Sequence, residues 1–329
     1  GQKALFLSFA RATVSRVIEA VDEHASSSPE VRRCIVVDTY HAVFWRMIRA
    51  HGYLLGLPRR LEILLPTGEA IALAAIRSEY GPIKSLSTAD SNEKEAREEA
   101  ERNRLAFEDG MVCFDMFAGL TAELLRRGRR IRSAISSAFP IIFLDEFQDT
   151  NPNQWAVVTE LGKKSTLIAL ADPEQRIYDF AGADPERINH FRDYCAPSEF
   201  DFESQNFRSP GTDIAVFGND LLTGKFRKDP YQGMHLFTFP SNQNQAMSVL
   251  KSQVLQSRKR LVDSGRKVWS LAILVPTKKL MRQVSDYLRE AQSSMPSVPH
   301  RAKIDMEGAI LAAEIIAFVL QPKLSLIHI

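Results

Sequence analysis

Cysteine is scarce in this sequence: Cys34, Cys113 and Cys195 are the three among 329 residues. They stand far apart and form no paired motif. A disulfide framework or a cysteine metal site is therefore not expected, and a reducing compartment fits. Long apolar runs are also lacking. The most apolar stretch, ILAAEIIAFVL (310–320), is interrupted by Glu314 and is short for a bilayer, so no membrane is expected as a partner. The opening residues GQKALFLSFARATVSRV lack the ordered basic start, apolar core and small-residue cleavage site of a secretory signal. An excess of one charge is missing too. The net charge is +2, so any basic surface has to be local. What is present is an ordinary globular composition, 45% hydrophobic and 25% charged, in a chain long enough for about two domains.

Short apolar runs recur at 4–9, 34–40, 141–145, 166–172, 199–204, 235–239 and 271–277. Several are apolar on both sides of the alternation, as strands covered on both faces are. Helical patterns lie between them. Asn151 is placed to cap a helix, with Pro152 at its first position and Gln154 three residues after the cap; this helix is expected to run to about Leu161. Residues 141–172 then form a strand–helix–strand crossover, and the alternation predicts an α/β fold with a parallel sheet. Residues 91–108 are highly charged, with Glu93–Arg97 and Glu98–Arg102 spaced for i,i+4 pairing on a solvated helix. Phe114, Phe117, Leu120 and Leu124 mark one apolar helical face. About 55–135 reads as a mostly helical insertion. The basic runs RRGRRIR (126–132) and RKRLVDSGRK (258–267) read first as solvated helix faces or loops, and second as segments that could track a phosphate backbone.

The stretch PIIFLDEFQDTNPNQ (140–154) carries chemistry. An apolar strand runs straight into two acids, Asp145 and Glu146, with Gln148 two residues on. Ligands of open α/β sheets sit at the carboxyl ends of the strands. A hard cation such as Mg²⁺ prefers carboxylate and water oxygens, and a second carboxylate can take a proton from an attacking water. Taken alone, two acids after a strand make a polar turn.

Two further motifs follow in order: LIALADPEQRIYDFAGAD (167–184) and SQNFRSP (204–210). With FLDEFQDTN they resemble the UvrD/Rep-type superfamily 1 DNA helicases. LFLSFARATVSRV (5–17), TYHAVF (39–44) and ILVPT (273–277) are weaker echoes of the same family. The resemblance covers most of the chain apart from the helical insertion and the tail. It implies a RecA-like P-loop NTPase motor domain with a parallel sheet, a helical insertion, and the start of a second RecA-like domain. It also implies ATP and Mg²⁺ as cofactors, and single-stranded DNA or a duplex/single-strand junction as partner.

Residue by residue, the resemblance assigns Asp145 to Mg²⁺, mostly through water, and Glu146 to the hydrolytic water. Gln175 and Arg208 fall to the γ-phosphate, with Gln148 in the same network. Phe9, Tyr178 and Phe180 match aromatics that stack against single-stranded bases, and Thr39 and His41 match positions near the DNA backbone. Each has a plainer reading: Phe9 and Phe180 as core aromatics, His41 as a structural histidine, Arg208 as an ion-pair partner.

Motor domain 1 is expected over 1–205 and part of motor domain 2 over 206–329. No G-x-x-x-x-G-K-[ST] occurs, and Ala181 stands where many members have arginine. The sequence is therefore read as a fragment that starts just after the phosphate loop and lacks the late motifs, with 322–329 as a foreign tail, and as inactive by itself. The parent is expected to be a 3′–5′ ATP-dependent helicase or translocase, cytoplasmic, and nucleoid-associated if bacterial. A non-catalytic nucleic-acid-binding protein on a helicase scaffold and the helicase part of a helicase–nuclease are the alternatives.

Overall fold

A computed structural model describes residues 2–25, 29–80, 86–172, 183–200, 211–235, 237, 242–265, 267–292 and 295–302. The chain divides into two compact units, Gly1–Gln205 and Asn206–Ile329. In the first, four strands form one sheet: β1 (Ala4–Ser8), β2 (Ile35–Thr39), β5 (Ile141–Leu144) and β6 (Thr166–Ala169). Their order is β2-β1-β5-β6, and every neighbouring pair is parallel. The registers Ser8↔Thr39, Leu7↔Leu144 and Leu144↔Ala169 bring all four carboxyl ends to one edge.

The apolar runs explain these strands, with one qualification. Leu5, Leu7, Ile142 and Leu144 are buried in the main core. On the alternate positions Phe6 and Phe143 stack at 6.2 Å, and Ile141 and Ile168 stay exposed. Among the described residues full burial is confined to β1 and β5, chiefly on one face; β2 and β6 have no fully buried residue.

Helices α1 (Arg11–Ala25), α2 (Pro29–Cys34) and α3 (Tyr40–His51) surround β2 in the chain. Within 55–135 lie α4 (Pro66–Ala72), α5 (Ala74–Ser78), α6 (Thr88–Phe107), α7 (Met116–Arg127) and most of α8 (Arg129–Ala138). The same stretch holds a short parallel pair, β3 (Glu62–Leu64) with β4 (Met111–Cys113). Phe117, Ala118, Ala122, Leu124 and Leu125 of α7 enter the core shared with the sheet and with Val157, Val158 and Leu161 of α9 (Pro152–Gly162). On α6 the Glu98–Arg102 pair forms at 3.2 Å. Arg97 instead reaches Glu79, with nitrogen–oxygen distances of 2.6 and 2.9 Å. A carboxylate that both guanidinium nitrogens can grip outcompetes one a helical turn away.

α9 starts as its sequence dictates. The Asn151 side chain accepts from Gln154 N and the Gln154 side chain accepts from Asn151 N, both at 2.9 Å, with Pro152 at the first position. α10 (Arg187–Cys195) closes the described part of this unit.

The second unit contains α11 (Ile214–Thr223), α12 (Gln243–Asp263) and α13 (Lys278–Arg289). Met247, Val254, Val284, Leu288 and Val298 form its core. Lys251 is fully buried there, and its ammonium donates to Glu290 O and to Gln292 Oε1 at 2.5 and 2.6 Å. The run 271–277, read from the sequence as a strand, forms no strand among the described residues. Its Ile273 and Val275 pack on this core, while Leu274 is exposed. No helix among the described residues is long and apolar enough to cross a membrane.

Candidate active site

The carboxyl edge of the sheet gathers Phe9, Thr39, Asp145, Glu146 and Gln148 among the residues that the sequence singles out. Asp145 is the first residue past β5, and its N–H donates to Leu7 O at 2.8 Å, extending the ladder by one step. Ser8, the last residue of β1, is fully buried, and its hydroxyl donates to Asp145 Oδ2 at 2.7 Å. The Tyr40 hydroxyl lies 3.4 Å from Asp145 O, a long contact. Burial first, and the Asp145 charge second, push the Tyr40 phenol well above the usual tyrosine range.

Glu146 then leaves the strand direction. Its φ of 51° and ψ of 41° are left-handed, a conformation that costs a residue other than glycine roughly 1–2 kcal/mol. The next residue is tied down again: Phe147 N donates to Leu170 O at 3.0 Å, and Leu170 N donates to Leu144 O at 2.8 Å. Phe147, Gln148, Asp149 and Thr150 are buried, Asp145 is half-buried and Glu146 is exposed. The strained turn thus presents one carboxylate to solvent from an otherwise buried loop. Gln148 bridges two sides of the edge. Its Nε2 donates to Glu146 Oε2 at 2.7 Å, and its Oε1 accepts from Asp172 N, just past β6, at 3.2 Å.

The other predicted residues separate into three sets. Phe9 packs its ring against Tyr40, tilted by 34° with the ring centres 4.7 Å apart, and is partly buried against the main core. Thr39 spends its hydroxyl on capping α3, accepting from Ala42 N at 3.2 Å. His41 packs its ring against Phe114 and Phe117. Burial lowers the pKa of that imidazole, and the Asp115 carboxylate opposes the shift. Because Ser8 pairs with Thr39, Phe9, Thr39, Tyr40 and Asp145 share the carboxyl edge. Gln175, Tyr178 and Phe180 lie within 173–182, and Arg208 within 201–210; all four are outside the described residues.

One oxygen of Asp145 holds Ser8 and the other has no hydrogen bond among the described residues. That suits a cation held by one carboxylate, waters and substrate phosphates, the usual manner of Mg²⁺. It is no closed cage: among the described residues no group of three or more His, Cys, Asp or Glu side chains could hold a metal ion. The 329-residue sequence contains no Gly-rich loop with Lys and Ser/Thr to cradle phosphates, so the donor half of a nucleotide site is not among these residues.

Residues 89–196 match the sequence model of the UvrD/REP helicase N-terminal domain. The chain is 23% identical to the ATP-dependent DNA helicase PcrA of Staphylococcus aureus (strain Mu50), in an alignment covering 89% of this chain and 43% of that protein. It is 26% identical to PcrA of Leuconostoc citreum over 55% of this chain and 28% of the relative. These similarities are to the UvrD/Rep helicases. The chain spans less than half the length of these relatives.

The matched stretch runs from α6 to α10 and includes the acidic turn. The chain's parallel sheet and its helices form the α/β architecture expected of a RecA-like domain. Sequence reasoning missed Ser8, Tyr40 and Arg187. A small hydroxyl ending an apolar strand was the one signal for Ser8. Arg187 is 1% exposed. Its Nε donates to Thr150 O at 3.1 Å, Nη2 reaches Asp184 Oδ2 at 3.3 Å, and its guanidinium lies 5.3 Å from the Trp155 ring centre. Burial lowers its pKa, and Asp184 opposes that. Arg187→Met is therefore expected to lower stability by about 3 kcal/mol, since it strips the partner from a buried carbonyl and a carboxylate. Thermal unfolding followed by Trp155 fluorescence measures it; an unchanged midpoint would remove Arg187 as the anchor of this loop.

Proposed function

We propose that this chain supplies the acidic side of the ATP site, and part of the single-stranded DNA track, of a UvrD-type ATP-dependent 3′–5′ DNA helicase or translocase. The observation that carries this reading is the contrast within one turn. Asp145 is fixed by Ser8 and the sheet, while Glu146 is driven into solvent on a left-handed backbone and held by Gln148.

Asp145 would hold Mg²⁺, which supplies charge neutralisation at the phosphates when bound. Glu146 accepts the proton of the attacking water. Gln148 restrains Glu146 and ties it to the end of β6. Gln175 and Arg208 address the γ-phosphate, by resemblance to family motifs. Phe9, Tyr178 and Phe180 stack on bases, with Thr39 and His41 near the backbone of the strand; a duplex/single-strand junction is the natural substrate of such a site. Motor domain 1 is assigned to 1–205, with 55–135 as its mostly helical insertion, and part of motor domain 2 to 206–329.

The test uses the 329-residue chain, a fluorescent single-stranded oligonucleotide and Mg·ATP. The chain is expected to bind the oligonucleotide. Phe9→Leu, which keeps an apolar side chain but removes the ring, is expected to weaken binding by roughly 1–3 kcal/mol. ATP turnover is expected to stay at the level of a Glu146→Gln control, because the sequence holds no phosphate loop. A chain that binds no single-stranded DNA at low salt would refute the reading.

A further inference from the structure

The first basic run looks different once the chain is folded. α7 ends at Arg127 and α8 begins at Arg129, with Gly128 alone between them. A Cβ on Gly128 would sit 2.6 Å from Leu124 O and 3.0 Å from Ile131 Cδ1. The junction is therefore tight enough to need glycine, and it brings two helix ends into one corner. Arg126 and Arg127 share a single carboxylate, Glu123, each at 2.5 Å, and their side chains remain 62% and 67% exposed. Cations there complement the end of α7.

Arg129 and Arg130 do the opposite. They occupy the first turn of α8, where the helix dipole repels cations and where no acidic residue stands. Both are exposed and neither has an ion pair among the described residues. Helix stability does not explain them. The end of α9 adds charge to the same corner. Lys164 Nζ donates to Ser133 Oγ at 2.8 Å, and Lys163 and Arg132 share Glu160, each at 2.6 Å. Seven cations face two carboxylates here, in a chain whose whole net charge is +2.

We propose that this corner, made by the end of α7, the start of α8 and the end of α9, is a second nucleic-acid contact that binds the phosphate backbone of DNA. The inference rests on the reading that the chain handles DNA, and adds a surface that reads no bases. Exposed guanidinium groups without protein partners are suited to forked bonds with phosphate oxygens. A concentrated basic footprint on a nearly neutral chain is the mark of backbone contact.

The experiment compares the 329-residue chain with the quadruple variant R126Q/R127Q/R129Q/R130Q. Glutamine preserves helix propensity and length; melting curves and a quadruple lysine variant control for folding and for charge. Dissociation constants for a labelled duplex and a labelled single strand are measured across a salt series. The expected result is a fall in the steepness of log K against log [salt] by roughly 0.9 per lost duplex phosphate contact, or 0.7 per single-strand contact, so about 2–4 in all. The lysine variant should restore the slope. A change confined to the duplex or to the single strand supports the proposal and says which form is held. Two results would overturn it: a glutamine variant that binds both forms with the wild-type slope, or polyglutamate competing as well as DNA at equal charge, which would make this a protein-docking face. A wild-type chain that binds no DNA would instead remove the reading beneath it.

Discussion

Replacing Glu146 by glutamine is expected to lower ATP turnover by about 10²–10⁴-fold, the usual worth of a positioned general base. The measurement needs a product that also carries a phosphate loop. The substitution is close to isosteric. The new amide oxygen can still accept from Gln148 Nε2, now 2.7 Å from the carboxylate. The residue is exposed, so no buried charge is lost, and its left-handed backbone is as costly for glutamine as for glutamate. Binding of a fluorescent ATP analogue should therefore persist while single-turnover hydrolysis collapses. Turnover within a few-fold of wild type would exclude Glu146 as the base and return the acidic turn to its plain reading as a polar end of a strand. Loss of nucleotide binding together with turnover would make Glu146 a ligand of the cation.

A comparable loss is expected from Arg208→Ala in the same product. Arg208 belongs to QNFRSP, the third of the ordered motifs. A guanidinium on the γ-phosphate acts on charge that develops in phosphoryl transfer, and groups in this role contribute on the order of 10³-fold or more. Arg208→Lys sharpens the test. Lysine keeps the positive charge but cannot make a planar two-pronged contact. Partial recovery by lysine would point to charge alone, and none to the fork. If alanine leaves kcat unchanged, Arg208 is an ordinary ion-pair residue.

The parts of this protein that could be read in advance are those specified by neighbours in the chain. β1, β2, β5 and β6 announce themselves as short apolar runs, and the start of α9 is written in Asn151, Pro152 and Gln154. The acids at the end of β5 were visible as a pattern, because strand and turn are contiguous. Links between distant segments were not. Ser8 and Asp145 are 137 residues apart, and nothing in either neighbourhood reports the hydrogen bond that joins them. Arg187 reads as one more charged residue until folding places it under Thr150. Arg97 has a suitably spaced partner in Glu93, and prefers Glu79 because a tertiary contact offers two oxygens. Thr39 shows how one residue can suit two readings: its hydroxyl already caps α3. The run 271–277 has the composition of a strand, but pairing requires a neighbour with matching open edges, and among the described residues it has none.

The strand order β2-β1-β5-β6 also bears on how the chain is made. β1 is bordered by β2, about thirty residues later, and by β5, which starts at Ile141. At ribosomal rates of about 5–20 residues per second, β5 is synthesised roughly 7–27 s after β1. During that interval the second edge of β1, with Leu5 and Leu7 along it, has no native strand to join. Parallel pairings across such separations are slow to form and leave hydrophobic edges open to wrong partners. The unit formed by β1, α1, α2 and β2 must hold itself together in the meantime. Pulse-labelling or chaperone-capture experiments on nascent chains should therefore find the greatest holdase dependence after β2 has emerged and before β5 has, ending when β5 pairs with the open edge of β1.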